Sequence, residues 1–420
     1  MRLEARELPL PPEPLSIARR LWDEPELALL WTASGGRSFI AVQPIERTRS
    51  LDPEPALSLD PGASLLARAP RWIGLLPYEA LRVGLERPGR VDAVDGRSEP
   101  HLVAPLWWRL GAVVCVDERV TVIGDDPARV DALSRRLRAA PDPGPRAAEL
   151  ELAPGEAPER HAERVRAALD LIRRGEIYQV SLARRLALRA RGDAVDLLGR
   201  LCRDTRPPYA LAWRSPGLQV VSTSPELLLA LRADGRLLTS PIKGTRPRGR
   251  DAASDDAWRR ELEADPKEQA ELSMVVDVER NDVGKVSTIG SVRAAAPAVS
   301  SHGLVWHRRA DVTGTLAPGV CREALLRALL PSGSVTGAPK VRAMEVIAHL
   351  ESERRGLYTG GLGYLTHAGE LVLGMAIRTL TEREGEAHYF TGGGIVADSD
   401  PAREVEETVW KARQLFGRTG

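Results

Sequence analysis

The sequence predicts an α+β fold, and three observations predict it. Strand-length runs and long helical patterns both occur, without the regular alternation that builds a parallel α/β sheet. Hydrophobic residues make up 43% of 420, enough for a large core. No internal repeat and no low-complexity tract interrupts the chain.

Charge and cysteine usage exclude several classes. The 59 basic residues are matched by 58 acidic ones, for a net charge of +1. No global field therefore favours nucleic acid or an anionic membrane. Cys115, Cys202 and Cys321 are far apart and show no C-x-x-C spacing. That argues against a disulfide framework or a zinc site and fits a reducing compartment. The N-terminus has no basic segment leading into an apolar one, and no apolar run spans a bilayer. The expectation is a soluble cytoplasmic protein.

In chain order, residues 1–140 read as a β-rich segment of the same body. "ALLWTA", "SFIAVQP", "RWIGLLPYE" and "AVVCVDERVTVIG" are β-rich runs split by Pro, Gly and Asp. Residues 141–157, rich in Pro, Ala and Glu, predict a linker or surface loop. Residues 158–420 then predict one catalytic region. "PERHAERVRAALDLIRRG" sets Val165, Ala168, Leu169 and Ile172 at helical spacing and stops at Gly175. "YALAWRSPGLQVVSTS" reads as a hairpin turning at Ser215-Pro216-Gly217, and "RLLTSPI" as a strand. "DPKEQAELSMVVDV" opens a helix with Asp265 as N-cap and Pro266 at its first position. "GAPKVRAMEVIAHLESERRG" is a second such helix, with Val341, Met344, Ile347 and Leu350 on one stripe. "GGLGYL", "LVLGMAIRTL" and "AHYFTGGG" are strands, and "DPAREVEETVWKARQLF" is the closing helix.

Several stretches are candidates for chemistry. "GGGIVA", Gly392 to Ala397, fits the dinucleotide fingerprint, but no room follows for the second strand and its acid, so that reading is set aside. Glu404, Glu407 and Lys411 share one face of the closing helix, apart from an apolar stripe of Val405, Val409, Ala412 and Phe416. Glu268 and Glu271 lie one turn apart on the Asp265 helix, with Glu268 placed to complete a capping box. Either pair is a solvated face, or the two helices bring four hard oxygen donors to one Mg²⁺. Spacing alone does not choose. Glu226 in "STSPELLL" either alternates outward or, if buried, is a general acid. His302 and His307 stand in one stretch. Lys243 in "PIKGTRPRG" is either one more cation beside Arg246, Arg248 and Arg250, or a group that does chemistry.

Together these stretches resemble the chorismate-utilising enzymes, a family that includes component I of anthranilate synthase, component I of aminodeoxychorismate synthase, and the isochorismate and salicylate synthases. The matching pieces are "GEIYQVSLARR", "STSPELLL", "PIKGTRPRG", "AELSMVVDVERNDVGKV", "DVTGTL", "PSGSVTGAPKVRAMEVI", "YTGGLGYL", "MAIRTL" and "GGGIVADSDPAREVEETVWKA". They run in the family's order from Gly175 to Ala412, and "WIGLLPYEALRVGLE" is a weaker N-terminal match. The resemblance implies two face-packed β-sheets with helices outside, a four-layer α/β/β/α arrangement.

It also implies roles. Glu271 and Glu407 match direct Mg²⁺ ligands, and Glu268 and Glu404 match carboxylates acting on the metal partly through water. Glu226 matches the acid that protonates the departing C4 hydroxyl, and His307 a histidine beside the ring. Gly244, Thr245, Thr336, Tyr358, Arg378, Gly392 and Lys411 match substrate-contacting positions. Chorismate carries two carboxylates. The metal would neutralise one, and Arg378 offers a planar fork for the other.

Two positions subdivide the family. Gln179 stands where isochorismate and salicylate synthases have a water-activating lysine, so ammonia rather than water is the expected nucleophile. Anthranilate synthases resemble "PIAGT" where this chain has "PIKGT", the form of aminodeoxychorismate synthases. Lys243 is then a nucleophile that adds at C2 before ammonia adds at C4, helped by nearby cations that ease loss of its proton. The resemblance thus implies amination of chorismate to 4-amino-4-deoxychorismate, for p-aminobenzoate and folate, with ammonia from a separate glutaminase subunit. Amination as in anthranilate synthase is the alternative, and a non-catalytic regulatory paralogue a further one. Two departures stand out. "HRRADVTG" replaces the usual "HLVSTVTG", and "ALLWTA" lacks the acid-serine pair of tryptophan-binding members.

Overall fold

A computed structural model describes residues 3–56, 58–82, 100–203, 205–302, 305–413 and 415. Two large antiparallel sheets, of twelve and nine strands, hold most of the chain, and a three-stranded sheet is set beside them. One apolar cluster joins residues from both large sheets, among them Leu30, Phe39, Leu211 and Val220 from one and Ile73, Leu75, Leu106 and Leu362 from the other. The outer face of the twelve-stranded sheet packs under helices through Ile17, Val130, Leu137 and Leu198. That of the nine-stranded sheet packs under Val283, Leu325 and Leu329. The order is helix, sheet, sheet, helix, the expected four layers. Strands such as Leu27–Trp31 and Ala112–Val116 are near-continuously apolar, because a sheet covered on both faces has no solvent side to alternate toward.

Both sheets draw on both halves of the sequence. Leu27–Trp31 pairs with Tyr209–Ser215, and Pro70–Leu76 pairs with Gly361–Thr366. The weaker "WIGLLPYEALRVGLE" match therefore borders the strand of "YTGGLGYL"; its last residues, 83–86, lie outside the described ones. The stretch read as linker or loop contains strand Glu149–Leu152, which pairs with Gln179–Arg191 and buries Leu150. The β-rich reading of the first 140 residues omits helix Pro127–Ala139. Asp126 caps it at Arg129 N (3.2 Å), and Val130, Leu133 and Leu137 bury its inner face.

Three of the places where the chain crosses between sheets lie in one region. Leu218–Ser224 belongs to the twelve-stranded sheet and Leu227–Leu231 to the nine-stranded one, leaving Pro225 and Glu226 in the gap. "LVLGMAIRTL" is two strands, not one. Leu371–Met375 lies in the nine-stranded sheet and Thr379–Arg383 in the twelve-stranded one. The turn between them puts Arg378 at φ 50°, in the left-handed region that non-glycine residues rarely occupy. Arg236–Ser240 leaves the nine-stranded sheet at Pro241 and continues as Ile242–Pro247 in the small sheet, carrying Lys243.

Two helices close the same region. Asp265 caps Pro266–Val286 by accepting from Lys267 N (3.0 Å) and Glu268 N (3.2 Å). The reciprocal half of the capping box does not form, and Glu268 turns instead to a cavity between the sheets and the two helices. In Pro401–Arg413 the buried positions include Glu404 and Thr408 beside Ala412, whereas Val405 and Val409 are half-buried. The expected apolar stripe is thus interrupted by polar residues facing inward; Phe416 lies outside the described residues. In Lys340–Leu350, Met344 and Ile347 are buried, but Val341 is exposed. Among the described residues no helix is long and apolar enough to cross a membrane.

Trp108 and Trp213, one from each large sheet, stack in their common core with ring centroids 3.6 Å apart. Trp213→Ala should cost about 3–5 kcal/mol, as truncation of a buried aromatic does. A denaturant unfolding midpoint equal to wild type would show that the sheets are not held together there.

Candidate active site

The crossings converge on a cavity of about 360 Å³. It is lined by Glu226, Lys243, Gly244, Thr245, Glu268, Glu271, His307, Tyr358, Arg378, Gly392, Glu404, Glu407 and Lys411. Residues from widely separated stretches of sequence therefore meet. A larger hollow of about 840 Å³ opens near Thr32 and Asp117, and none of these residues lines it.

Glu226 is 4% exposed, so its carboxylate points inward and not to solvent. Burial pushes its pKa up to about 7, against the pull of the Ser334 hydroxyl, which donates to it at 2.8 Å, and of the Lys243 charge. A carboxyl tuned near neutrality is suited to give up a proton at physiological pH. Lys243 is half-buried and donates to Ser334 O at 3.3 Å. It does not join the arginines of its loop. Arg246 pairs with Glu261 and Asp265 (both 2.8 Å), and Arg248 with Asp255 (2.6 Å). Arg246, Lys267, Arg378 and Lys411 line the same cavity, and Arg308 stands opposite Lys243 on the neighbouring strand. Glu226, Glu271 and Glu407 also feel its charge.

Burial raises Glu268, Glu271 and Glu404 above the ordinary carboxylate value, and the neighbouring carboxylates add to the rise. Burial acts the same way on Glu407, but Lys411, 2.6 Å away, outweighs it and holds Glu407 below its ordinary value. Lys411 also donates to Gly392 O at 2.7 Å. The Glu407–Lys411 pair is part-exposed, as a solvated helix face would be, yet both members line the cavity. Glycines make room for the acids. A Cβ at Gly393 would sit 3.2 Å from Glu404 Oε2 and 3.3 Å from Glu407 Oε1, and one at Gly244 3.0 Å from Glu268 Oε2. Among the described residues no three acidic, histidine or cysteine side chains converge enough to enclose a metal ion. The donor set still fits Mg²⁺, which keeps several waters and takes only one or two carboxylates with an anionic substrate.

The opposite wall is cationic and aromatic. Burial lowers the Arg378 guanidinium from its ordinary value, with Tyr389 and Glu226 partly offsetting it. His307, 1% exposed, is held through Nδ1 by the Thr245 hydroxyl (3.1 Å) and Gly244 O (3.3 Å). Tyr358 stacks on Phe390 at 5.3 Å. Acids thus face a buried guanidinium across the cavity.

Comparison with known proteins bears on this geometry. The chorismate binding enzyme family matches residues 32–417. The chain belongs to that family. It is 40% identical to anthranilate synthase component 1 of Pseudomonas aeruginosa over 298 residues, 69% of this chain and 60% of that protein. Against the Haloferax volcanii protein of the same name it is 38% identical over 361 residues, 81% of this chain and 68% of the other. The crystal structure of anthranilate synthase component I from Streptococcus pneumoniae superposes with a TM-score of 0.75 at 28% identity, covering 99% of this chain and 92% of that one.

Two residues nominated from the family resemblance do not line the cavity. Gln179 is buried behind Gly394, and Thr336 is fully buried and donates to Ser332 O at 2.7 Å. Ser334, from the same "PSGSVTG" stretch as Thr336, is the residue that reaches Glu226. The motif was visible in the sequence, but which hydroxyl turns inward depends on the 3-10 turn Gly333–Val335. Arg355, in "ESERRG", had no sequence signal. It is 2% exposed and bonds Glu351 (2.6 and 2.9 Å), Val335 O (2.8 Å), Ser181 O (2.8 Å) and Thr359 Oγ1 (3.2 Å). Tyr389 also lines the cavity unforeseen, with burial pushing its hydroxyl up to about 12.

The Glu226 pKa makes a stability prediction. Its folded value lies above its ordinary 4.5, so the folded state holds the proton more tightly. This contribution is full below about pH 4.5 and is lost as pH rises to about 7. The loss should be on the order of 3 kcal/mol. Unfolding free energies measured across that window should fall less steeply for Glu226→Gln than for wild type. Equal slopes would mean that Glu226 titrates normally.

Proposed function

We propose that this protein aminates chorismate, and that it does so at C4, as component I of an aminodeoxychorismate synthase. The observation that carries the reading is Lys243, which reaches into the cavity beside Glu226 while Arg246 and Arg248 of its loop pair with acids. The anthranilate synthase relatives support the coarser statement and favour a second reading, anthranilate synthase component I. The two readings differ in the carbon that receives ammonia.

Chorismate would enter with one carboxylate toward Arg378, whose planar fork matches it. Glu268, Glu271, Glu404 and Glu407 would hold Mg²⁺, which when bound supplies positive charge for the ring carboxylate. Glu226 gives its proton to the C4 hydroxyl, which departs as water. Lys243, as the neutral amine, adds at C2 as that bond breaks. Ammonia then adds at C4 and expels the lysine. His307, fixed by Thr245, and Tyr358 shape the space around the ring. Ammonia would come from a separate glutaminase subunit.

Lys243→Ala decides between the two readings. With chorismate, Mg²⁺ and ammonium, wild type should give 4-amino-4-deoxychorismate. When ammonia is withheld, intact-protein mass should show an adduct on the peptide holding Lys243. The alanine variant should lose most 4-amino product and form no adduct. A variant that makes that product at the wild-type rate, or a wild type that makes anthranilate, sinks the nucleophile role.

The metal is tested separately. Turnover should vanish in excess chelator and return with Mg²⁺ rather than Zn²⁺. Glu407→Gln should lose at least about tenfold in kcat/KM while its unfolding midpoint stays near wild type. Full activity in chelator would remove the metal from the reading.

A further inference from the structure

Behind the cavity wall runs a closed chain of polar contacts. Ser334 Oγ lies 2.8 Å from Glu226 Oε1, and Ser332 Oγ lies 3.0 Å from Ser334 Oγ. Glu279 Oε1, on the Pro266–Val286 helix, is 2.6 Å from Ser332 Oγ and also accepts from Gly333 N at 3.0 Å. Glu226 and Ser332 are 4% exposed, Ser334 5% and Glu279 1%.

Counting hydrogens limits what the chain can be. Its three contacts need three hydrogens, and the two hydroxyls supply two. If both carboxyls were ionised, each serine would donate to its own acid, leaving two oxygen lone pairs opposed at 3.0 Å. Ser334 N also donates to Ser332 Oγ at 3.1 Å, so the hydrogen that would join the two hydroxyls is the one a carboxyl can supply. The chain is complete with one proton, carried at either end, and reversing both hydroxyls moves that proton from one acid to the other. Burial raises Glu279 as it does Glu226, and Glu279 adds to the rise at Glu226. The charged groups facing the pair are Lys243 and Arg378 at the Glu226 end and Lys340 and Asp282 at the Glu279 end.

We propose that Glu226 and Glu279 share one proton through Ser334 and Ser332, and that Glu279 re-arms Glu226 when the acid has been spent. The catalytic half of this rests on the reading of Glu226 as the acid in the amination. In that step the C4–O bond breaks, its electron pair stays on oxygen, and the oxygen leaves as water with the Glu226 proton. Both acids are then ionised. Glu279 takes up one proton from solvent, its proton passes to Ser332, that of Ser332 to Ser334 and that of Ser334 to Glu226, and no electrons move. Glu279 touches no reacting atom and is a positioning residue for the proton.

Infrared titration of the unliganded protein tests the shared proton without any reaction. The carbonyl band of the protonated carboxyl is isolated by subtracting spectra of Glu226→Gln and Glu279→Gln from wild type. Removing one acid leaves the other without its like-charged partner. The last proton should therefore leave Glu279→Gln at a pH lower by about one unit or more than wild type. The alkaline limb of its kcat profile should shift the same way. An unchanged midpoint overturns the sharing. Ser332→Ala cuts the chain while keeping both acids. Its kcat should fall about tenfold, part of what proton transfer supplies, with KM within about twofold, and Ser332→Thr should restore it. Wild-type kcat in Ser332→Ala overturns the re-arming, and this pair carries the test should Glu279→Gln fail to fold. Failure of the underlying reading looks different. Glu226→Gln would then keep its kcat while the infrared coupling persists.

Discussion

A guanidinium almost sealed from water holds the cavity's back wall together. Arg355 bonds Glu351 through two nitrogens and reaches backbone carbonyls of Ser181 and Val335. Glu351 in turn accepts from Ala183 N at 2.9 Å. One ion pair thus ties a strand of the twelve-stranded sheet, the turn that carries Ser334, and the end of helix Lys340–Leu350. Such a pair is a weak source of net stability, because both charges lose their hydration. Its geometric effect is strong, since removing either partner would leave a bare charge in the core. Arg355 also lies over the rings of Tyr78 and Tyr358, at 4.9 and 5.6 Å, so the aromatic wall shares the same anchor.

From that anchor the electrostatics of the cavity follow. Burial raises Glu226 and lowers Arg378, so each group is held away from the charge state water would favour. The left-handed backbone at Arg378 is tolerated because strands in both sheets fix its two ends. Acids crowd the side formed by the two helices. Lys411 lies 2.6 Å from Glu407, and Arg246 and Lys267 lie 3.8 Å from Glu268 and Glu271, respectively. The cavity thus holds repelling carboxylates and a desolvated guanidinium before any ligand arrives. A ligand with its own carboxylates, and a cation to bridge them, would relieve both.

Glu226 acquires its properties in two layers. Lys243 and Ser334 both line the cavity beside it, and Ser334 leads on through Ser332 into the core. The side facing the cavity serves the proposed reaction, and the side facing the core leads to Glu279. The sequence separation of these groups is large, 108 residues from Glu226 to Ser334. Their meeting depends on the chain changing sheets beside Pro225.

Local sequence determined most elements. Asp-Pro starts, the Pro216-Gly217 hairpin and the helical stripe ending at Gly175 are set by backbone chemistry within a few residues, so periodicity and turn residues suffice to read them. Ordered motifs identified the family and nominated most of the ionisable side chains that line the cavity. What only the tertiary structure decided is which way ambiguous side chains face. Glu226 in an apolar run, Lys243 in a basic loop and four glutamates on two helices read equally well as solvated groups. Strand "LVLGMAIRTL" splits because its two halves bury against different sheets, which no local pattern records. Ser334 in place of Thr336, the isolation of Gln179 behind Gly394, and the Arg355 anchor all arise from contacts between residues far apart in the chain. Burial sets the charge states of the site, and burial is a property of the packed layers.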